Sequence, residues 1–296
     1  MNETFILEEV GKQLDAMSLG FKLSAEDMKT LDEPEQACMG RVLDLEDKLP
    51  VTVKNELFHV ANSPIYRKGG MEQATDFWEV STILGLDNIK TYIFSSALYG
   101  MAPKNPDILL QKQKCLATAG LSMAIMHNIL GFNRNIMPRV QLCAMVSEFG
   151  KIPFFLYRQK HADDPAVGEI MTENFINVHH GTFGIRMVEK FNLPEYLNDL
   201  FNRKSLIFFQ DAHEFSVTTI VRMAKLLVRE SFKQFGKLVL TSVVDDPHGV
   251  VFGSVGTEIQ TYFDSLGIGP LLEIVPHETE AQRCAREKKE GKGKAS

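Results

Sequence analysis

Ser147 and Glu148 stand together inside the apolar run Met145–Phe155, "MVSEFGKIPFF", and Gly150-Lys151 follows them. A carboxylate in such surroundings has to be paired, protonated or bound to a metal, because burial without a partner is costly. Naming the partner of Glu148 is therefore the first functional question. Ser147 as a nucleophile has Glu148 beside it, yet no histidine is near in sequence and no Gly-x-Ser-x-Gly elbow surrounds it. Cys143 could meet His180 only through the fold, and neither has a local motif of nucleophilic catalysis. Lys151 suits a phosphate, but after a helix-ending glycine it reads better as a complement to the C-terminal helix dipole. His180 reads as a hydrogen-bonded core histidine or as half of an exposed pair, with His179 outside.

The chain that must position these groups has 296 residues, 44% hydrophobic and 24% charged, with a net charge of -6. That describes a globular protein long enough for two cores, without an electrostatic case for binding nucleic acid. Cys38, Cys115, Cys143 and Cys284 form no Cys-x-x-Cys pair, so they suggest neither a zinc knuckle nor a disulfide framework. The first residues are acidic where a signal peptide is basic, and no window reaches the ~18 apolar residues of a membrane span. A cytoplasmic protein without membrane contact is expected. There is no P-loop and no Gly-x-Gly-x-x-Gly, and no cofactor is expected.

Apolar residues recur at helical spacing through most of the chain, which predicts an all-α protein. Helices are expected at about 3–18, 51–62, 72–84, 87–100, 107–130, 137–148, 165–190 and 194–203. A further helix should start at Ser216 and bury Val217, Ile220, Val221, Ala224, Leu227, Val228 and Phe232. Residues 101–108, "MAPKNPDI", break the periodicity and make a joint between two helical units. Residues 237–244, "KLVLTSVV", favour a short extended piece, and a short helix resumes after the turns of 245–256. From about His277 the composition turns to charged residues without an apolar face, as in a disordered tail.

Two further stretches carry a resemblance. In "ANSPIY" a helix ends, Asn62 and Ser63 can bond to nearby backbone, and Pro64 stops the helix. In "ILGLDNIK" Gly85 should end one helix and Asp87 cap the next. Together they resemble the HDOD domain, an HD-related output domain of bacterial signalling proteins, over about residues 45–230; Asn62, Ser63, Pro64, Tyr66, Gly85 and Leu86 carry its motif.

The resemblance implies an N-terminal helical bundle, residues 1–104, followed by a helical domain related to HD metal-dependent phosphohydrolases, residues 105–235. A C-terminal extension, 236–276, would pack on the core ahead of the tail, 277–296. In HD enzymes, His and Asp side chains hold metal ions that activate water against a phosphate ester. Here the first expected histidine falls at Lys114 and the His-Asp pair at Ser147-Glu148. One histidine is kept at His180, the later histidine pair falls at Lys204-Ser205, and the last aspartate falls at Lys225. Ammonium groups do not ligate metal, so lysine charge is expected to replace metal charge, with Glu148 paired to Lys114, Lys204 or Lys225.

The resemblance thus implies a non-catalytic regulatory module acting on unidentified signalling proteins, with a degenerate pocket and no metal. Two alternatives stay open. One is a divergent metal-dependent phosphohydrolase of nucleotides or cyclic dinucleotides. The other is a sensor of a small anionic ligand, held by Lys114, Lys204, Lys225 and Arg203.

Overall fold

The computed structural model describes the chain outside residues 1, 19–22, 34, 36, 64–65, 67–71, 131–135, 203–216, 243–258, 265 and 277–296. It is mostly helical: α1 (Glu3–Ala16), α2 (Ala25–Asp32), α3 (Met39–Lys48), α4 (Val51–Ala61), α5 (Phe77–Leu84), α6 (Leu86–Gly100), α7 (Pro106–Leu130), α8 (Met137–Val146), α9 (Ile152–Lys160), α10 (Pro165–Ile170), α11 (Glu173–Lys190), α12 (Asn198–Phe201) and α13 (Val217–Phe235). No helix of the described residues is long and apolar enough to cross a membrane.

Helices α2 to α6 pack on one another, and α7 lies along α8 and α13. Helix α2 starts in a capping box: the Asp27 amide donates to Ser24 Oγ at 3.1 Å, and the Ser24 amide donates to Asp27 Oδ2 at 2.8 Å. Gly85, with φ of 82°, ends α5 and directly caps α6, so the expected cap Asp87 sits instead in the first turn, where its charge suits the helix dipole. Between α6 and α7, at the expected break, buried Asn105 caps α7 by accepting from the Asp107 amide at 2.9 Å. Its amide also donates to Gln159 on α9 at 2.9 Å.

Long-range polar contacts tie the two ends of this helical array together. Buried Lys90 on α6 pairs with Asp32 and donates to the Asn192 carbonyl just past α11. Helix α1 buries Ile6, Val10 and Leu14 and lies against α9 and α11. Arg186 holds Asp15 at 2.9 Å, and Lys190 donates to the carbonyls of Leu14 and Asp15 at 2.7 and 2.5 Å. Two cations of α11 thus satisfy the open C-terminal end of α1.

The stretch expected as one helix over 165–190 is two: α10 ends at Ile170 with Met171 as its cap, and Thr172 accepts from the Phe175 amide at 3.2 Å to start α11. Helix α13 buries Ile220, Val221, Ala224, Val228 and Phe232, but Leu227 on the expected stripe is 51% exposed. Its proposed cap, Ser216, lies outside the described residues. The extended piece near 237–244 is β1 (Leu238–Ser242), which pairs in parallel with β2 (Leu272–Pro276), Leu238 opposite Leu272. Residues 259–264 are helical, as expected, and Phe263 packs so closely on α7 that a Cβ at Gly120 would lie 2.6 Å from its ring. The charged stretch 277–296 lies outside the described residues.

Candidate functional site

Helix α8 ends at Val146, and a single 3-10 turn, Phe149–Lys151, leads into α9. Helix α11 crosses this turn at backbone distance. A Cβ on Gly150 would lie 1.8 Å from the His180 carbonyl oxygen and 2.7 Å from the Gly184 nitrogen, so only glycine fits. Gly184 in turn receives the Phe201 ring on its other flank, 2.2 Å from where its Cβ would stand. These contacts seat His180 beside Glu148.

Glu148 is 5% exposed. Its Oε1 lies 2.6 Å from Lys225 Nζ on α13, and its Oε2 lies 2.6 Å from Lys151 Nζ. The Lys151 contact is an ion pair without the alignment of a hydrogen bond. Lys225 also donates to the Ser147 carbonyl at 3.0 Å, which closes the end of α8. Burial by itself would raise the Glu148 carboxyl, but Lys225, then Lys151 and His180, hold it well below the usual carboxylate range. It is ionised throughout the neutral range.

The imidazole of His180 donates through Nδ1 to the Asn177 carbonyl at 2.9 Å, since a carbonyl can only accept. Burial, then the Lys225 ammonium, push its pKa down to about 4, against the opposite pull of Glu148; Lys151 pushes down as well. The neutral ring is therefore the folded form. Because the unfolded chain binds this proton near pH 6.5 and the folded chain only near pH 4, the stability from neutral His180 is complete above 6.5 and is lost as pH falls towards 4. The loss is about 3 kcal/mol at most. His180→Gln should flatten the fall in Tm between pH 6.5 and 4, read by thermal melts across that range.

The remaining groups divide clearly. Lys114 on α7 is half-buried, and no described carboxylate reaches within 4.0 Å of it; burial, then Lys151, lower its pKa while Glu148 and Glu173 raise it. Ser147 spends its hydroxyl on the Ala144 carbonyl at 2.8 Å. Burial pushes the Cys143 thiol to about 12 and that of Cys115 to about 11, so neither is a thiolate at neutral pH. Arg203 and Lys204 lie outside the described residues. Lys151 does not serve the helix dipole as expected, because its ammonium is committed to Glu148. The i,i+3 spacing of Glu148 and Lys151 was the available signal for this pairing.

The loop motif reaches the same place from the other side. Asn62 brackets Ala74, accepting from its amide at 2.7 Å and donating to its carbonyl at 3.2 Å, which closes the loop between α4 and α5. Ser63 does not bond to backbone through its hydroxyl, which is buried without a partner, and Pro64 lies outside the described residues. Tyr66 is buried and donates to Gln141 on α8, five residues before the turn that carries Glu148 begins its exit from the helix at Val146. Gly85 supplies the tight joint described above, and Leu86 is buried.

A metal does not fit these residues. Both oxygens of Glu148 face ammonium groups at 2.6 Å, and an incoming cation would have to displace them. Among the described residues, no group of three or more His, Cys, Asp or Glu side chains converges on one point.

The fold is a helical domain that buries a lysine-paired carboxylate. The HDOD domain family matches residues 51–205, just over half of the chain, and the chain belongs to that family. A Shewanella amazonensis SB2B protein provisionally assigned as a metal-dependent phosphohydrolase shares the fold, with a TM-score of 0.58, 16% identity, and coverage of 89% of this chain and 97% of that one. An HDOD domain protein of unknown function from Geobacter sulfurreducens aligns with a TM-score of 0.46 and 13% identity over 99% of this chain and 96% of that one. No curated protein is significantly similar to the chain.

Proposed function

We propose that this chain is a non-catalytic signalling module of the HDOD type, which acts in the cytoplasm through contacts with other proteins. One observation carries the reading: Glu148, at the position of the superfamily's His-Asp pair, is held between Lys151 and Lys225. Two ammonium groups supply the positive charge that a metal would bring, but they cannot activate water as a metal does. What persists is a rigid junction of α8, α11 and α13, suited to presenting a surface and not to turnover.

The competing hydrolase reading requires bound metal, so metal content tests both. Untagged protein incubated with Mn, Fe, Ni, Mg or Zn and desalted should hold well under one ion per chain by elemental analysis. It should also leave bis-p-nitrophenyl phosphate intact. One or more tightly held ions per chain, with hydrolysis, would overturn the proposal.

A second reading, a sensor of small anions, is favoured by Lys114. Its ammonium stands half-buried near Lys151 and Arg229 without a carboxylate in contact among the described residues. Stabilisation of the wild type by a nucleotide, absent in a triple Lys114→Ala, Lys204→Ala, Lys225→Ala variant, would support that sensor.

A further inference from the structure

Away from the Glu148 pocket, a trough runs along the seam of α4, α6 and α7. Its outer part, about 440 Å³, is walled by apolar groups such as Val53, Ala97, Met101 and Ile108. Its inner part, about 200 Å³, is walled by Val60, Leu116, Met145 and Ile268. Both parts are lined by Glu56, Ser96, Tyr99 and Lys112, which form the polar neck where the two hollows meet. An apolar cleft with a few convergent polar groups is the usual form of a small-molecule site.

The neck is built in a particular way. Ser96 donates to Glu56 Oε2 at 2.7 Å, which fixes the rotation of the carboxylate. The other oxygen, Oε1, faces Lys112 Nζ at 3.7 Å, too far for a hydrogen bond. An acceptor and a donor therefore stand side by side with unspent capacity.

We propose that this cleft binds a small neutral ring compound carrying an N–H beside a C=O, a lactam or cyclic imide edge. The N–H donates to Glu56 Oε1 and the C=O accepts from Lys112, a paired contact of the kind that reads base edges. The ring body lies against the apolar wall. One carboxylate and one ammonium at the neck cancel, so a ligand with net charge would meet one repelling group. Tyr99 lines both chambers and also donates to the Met145 carbonyl on α8 at 3.1 Å, so occupancy is felt at the helix that leads to Ser147.

The test is isothermal titration calorimetry and saturation-transfer NMR of the full chain with uracil, hypoxanthine, 2-pyridone and 2-piperidone. 1,3-Dimethyluracil, which has lost its N–H donors, is the control. Saturable binding of one or more lactams is expected, weakened ~10- to 100-fold in Glu56→Ala and by the dimethyl control, as for the loss of a hydrogen bond to a charged group. Glu56 and Lys112 are about two-fifths exposed, so Glu56→Ala and Lys112→Ala should keep the wild-type Tm, which confirms that they fold. No saturable binding of any lactam, or equal binding by Glu56→Ala or of dimethyluracil, overturns the proposal.

Discussion

Glu148→Gln is expected to lower the unfolding free energy by about 3 kcal/mol at neutral pH, measured by urea denaturation. The carboxamide keeps the shape but removes the charge, leaving Lys151, whose side chain is 9% exposed, without its counter-ion. Lys225, at 26% exposure, recovers some hydration, which keeps the loss below that of a fully buried triad. The difference from wild type should shrink in acid. The folded carboxyl titrates well below its ordinary 4.5, so the stability it contributes is whole above 4.5 and disappears as pH falls towards the folded value. Replacing Glu148, Lys151 and Lys225 together by Met should restore most of the loss, because no buried charge is then left unpaired. If Glu148→Gln melts like wild type at pH 7, the carboxylate is not held as described.

Gly150→Ala should be at least as damaging, by about 3 kcal/mol or more, through steric means alone. The new methyl would stand 1.8 Å from the His180 carbonyl oxygen and 2.7 Å from the Gly184 nitrogen. Both are backbone atoms of α11, so no side-chain rotation relieves the clash; the helix has to move off the turn. Gly40→Ala in α3 is the matched control, since nothing lies within 4 Å of its added Cβ. That change should stabilise by roughly 0.5–1 kcal/mol by restricting the unfolded chain. Chemical denaturation of the two variants separates the effects; similar midpoints would mean that α11 does not press on Gly150.

The parts of this architecture visible in the sequence are those with a long apolar period or a sharp break. Helix α13 repeats buried residues at helical spacing, α7 and α8 are long apolar runs, and Gly85 and residues 101–105 interrupt the pattern. Helices α2 and α3 were missed because they are short and their exposed faces are dense with Asp, Glu and Lys, so that few apolar positions mark a period. Helix α9 was missed because the apolar run that ends in its first turn shows no helical period, although a proline such as Pro153 is well suited to that turn. Strand β2 depends on a partner more than thirty residues away, and a five-residue strand has too little alternation to announce itself. At the site, Glu148 was conspicuous as a carboxylate in an apolar run. Lys151 was assigned to the helix end because Gly150 read as the helix stop, although its i,i+3 spacing from Glu148 also allowed the pairing. The cleft had no sequence signal at all: Glu56, Ser96 and Lys112 sit on three helices, and each reads alone as part of a solvated face.

The docking of α1 also sets an order of events during synthesis. Its C-terminal end is satisfied by Arg186 and Lys190, 171 to 176 residues further along the chain. At ~5–20 residues per second, a ribosome needs roughly 10–35 s to make that distance. Until α9 and then α11 have been made, Ile6, Val10 and Leu14 lack the helices against which α1 packs. Helix α1 is thus a nascent segment that waits for the helices that complete its packing.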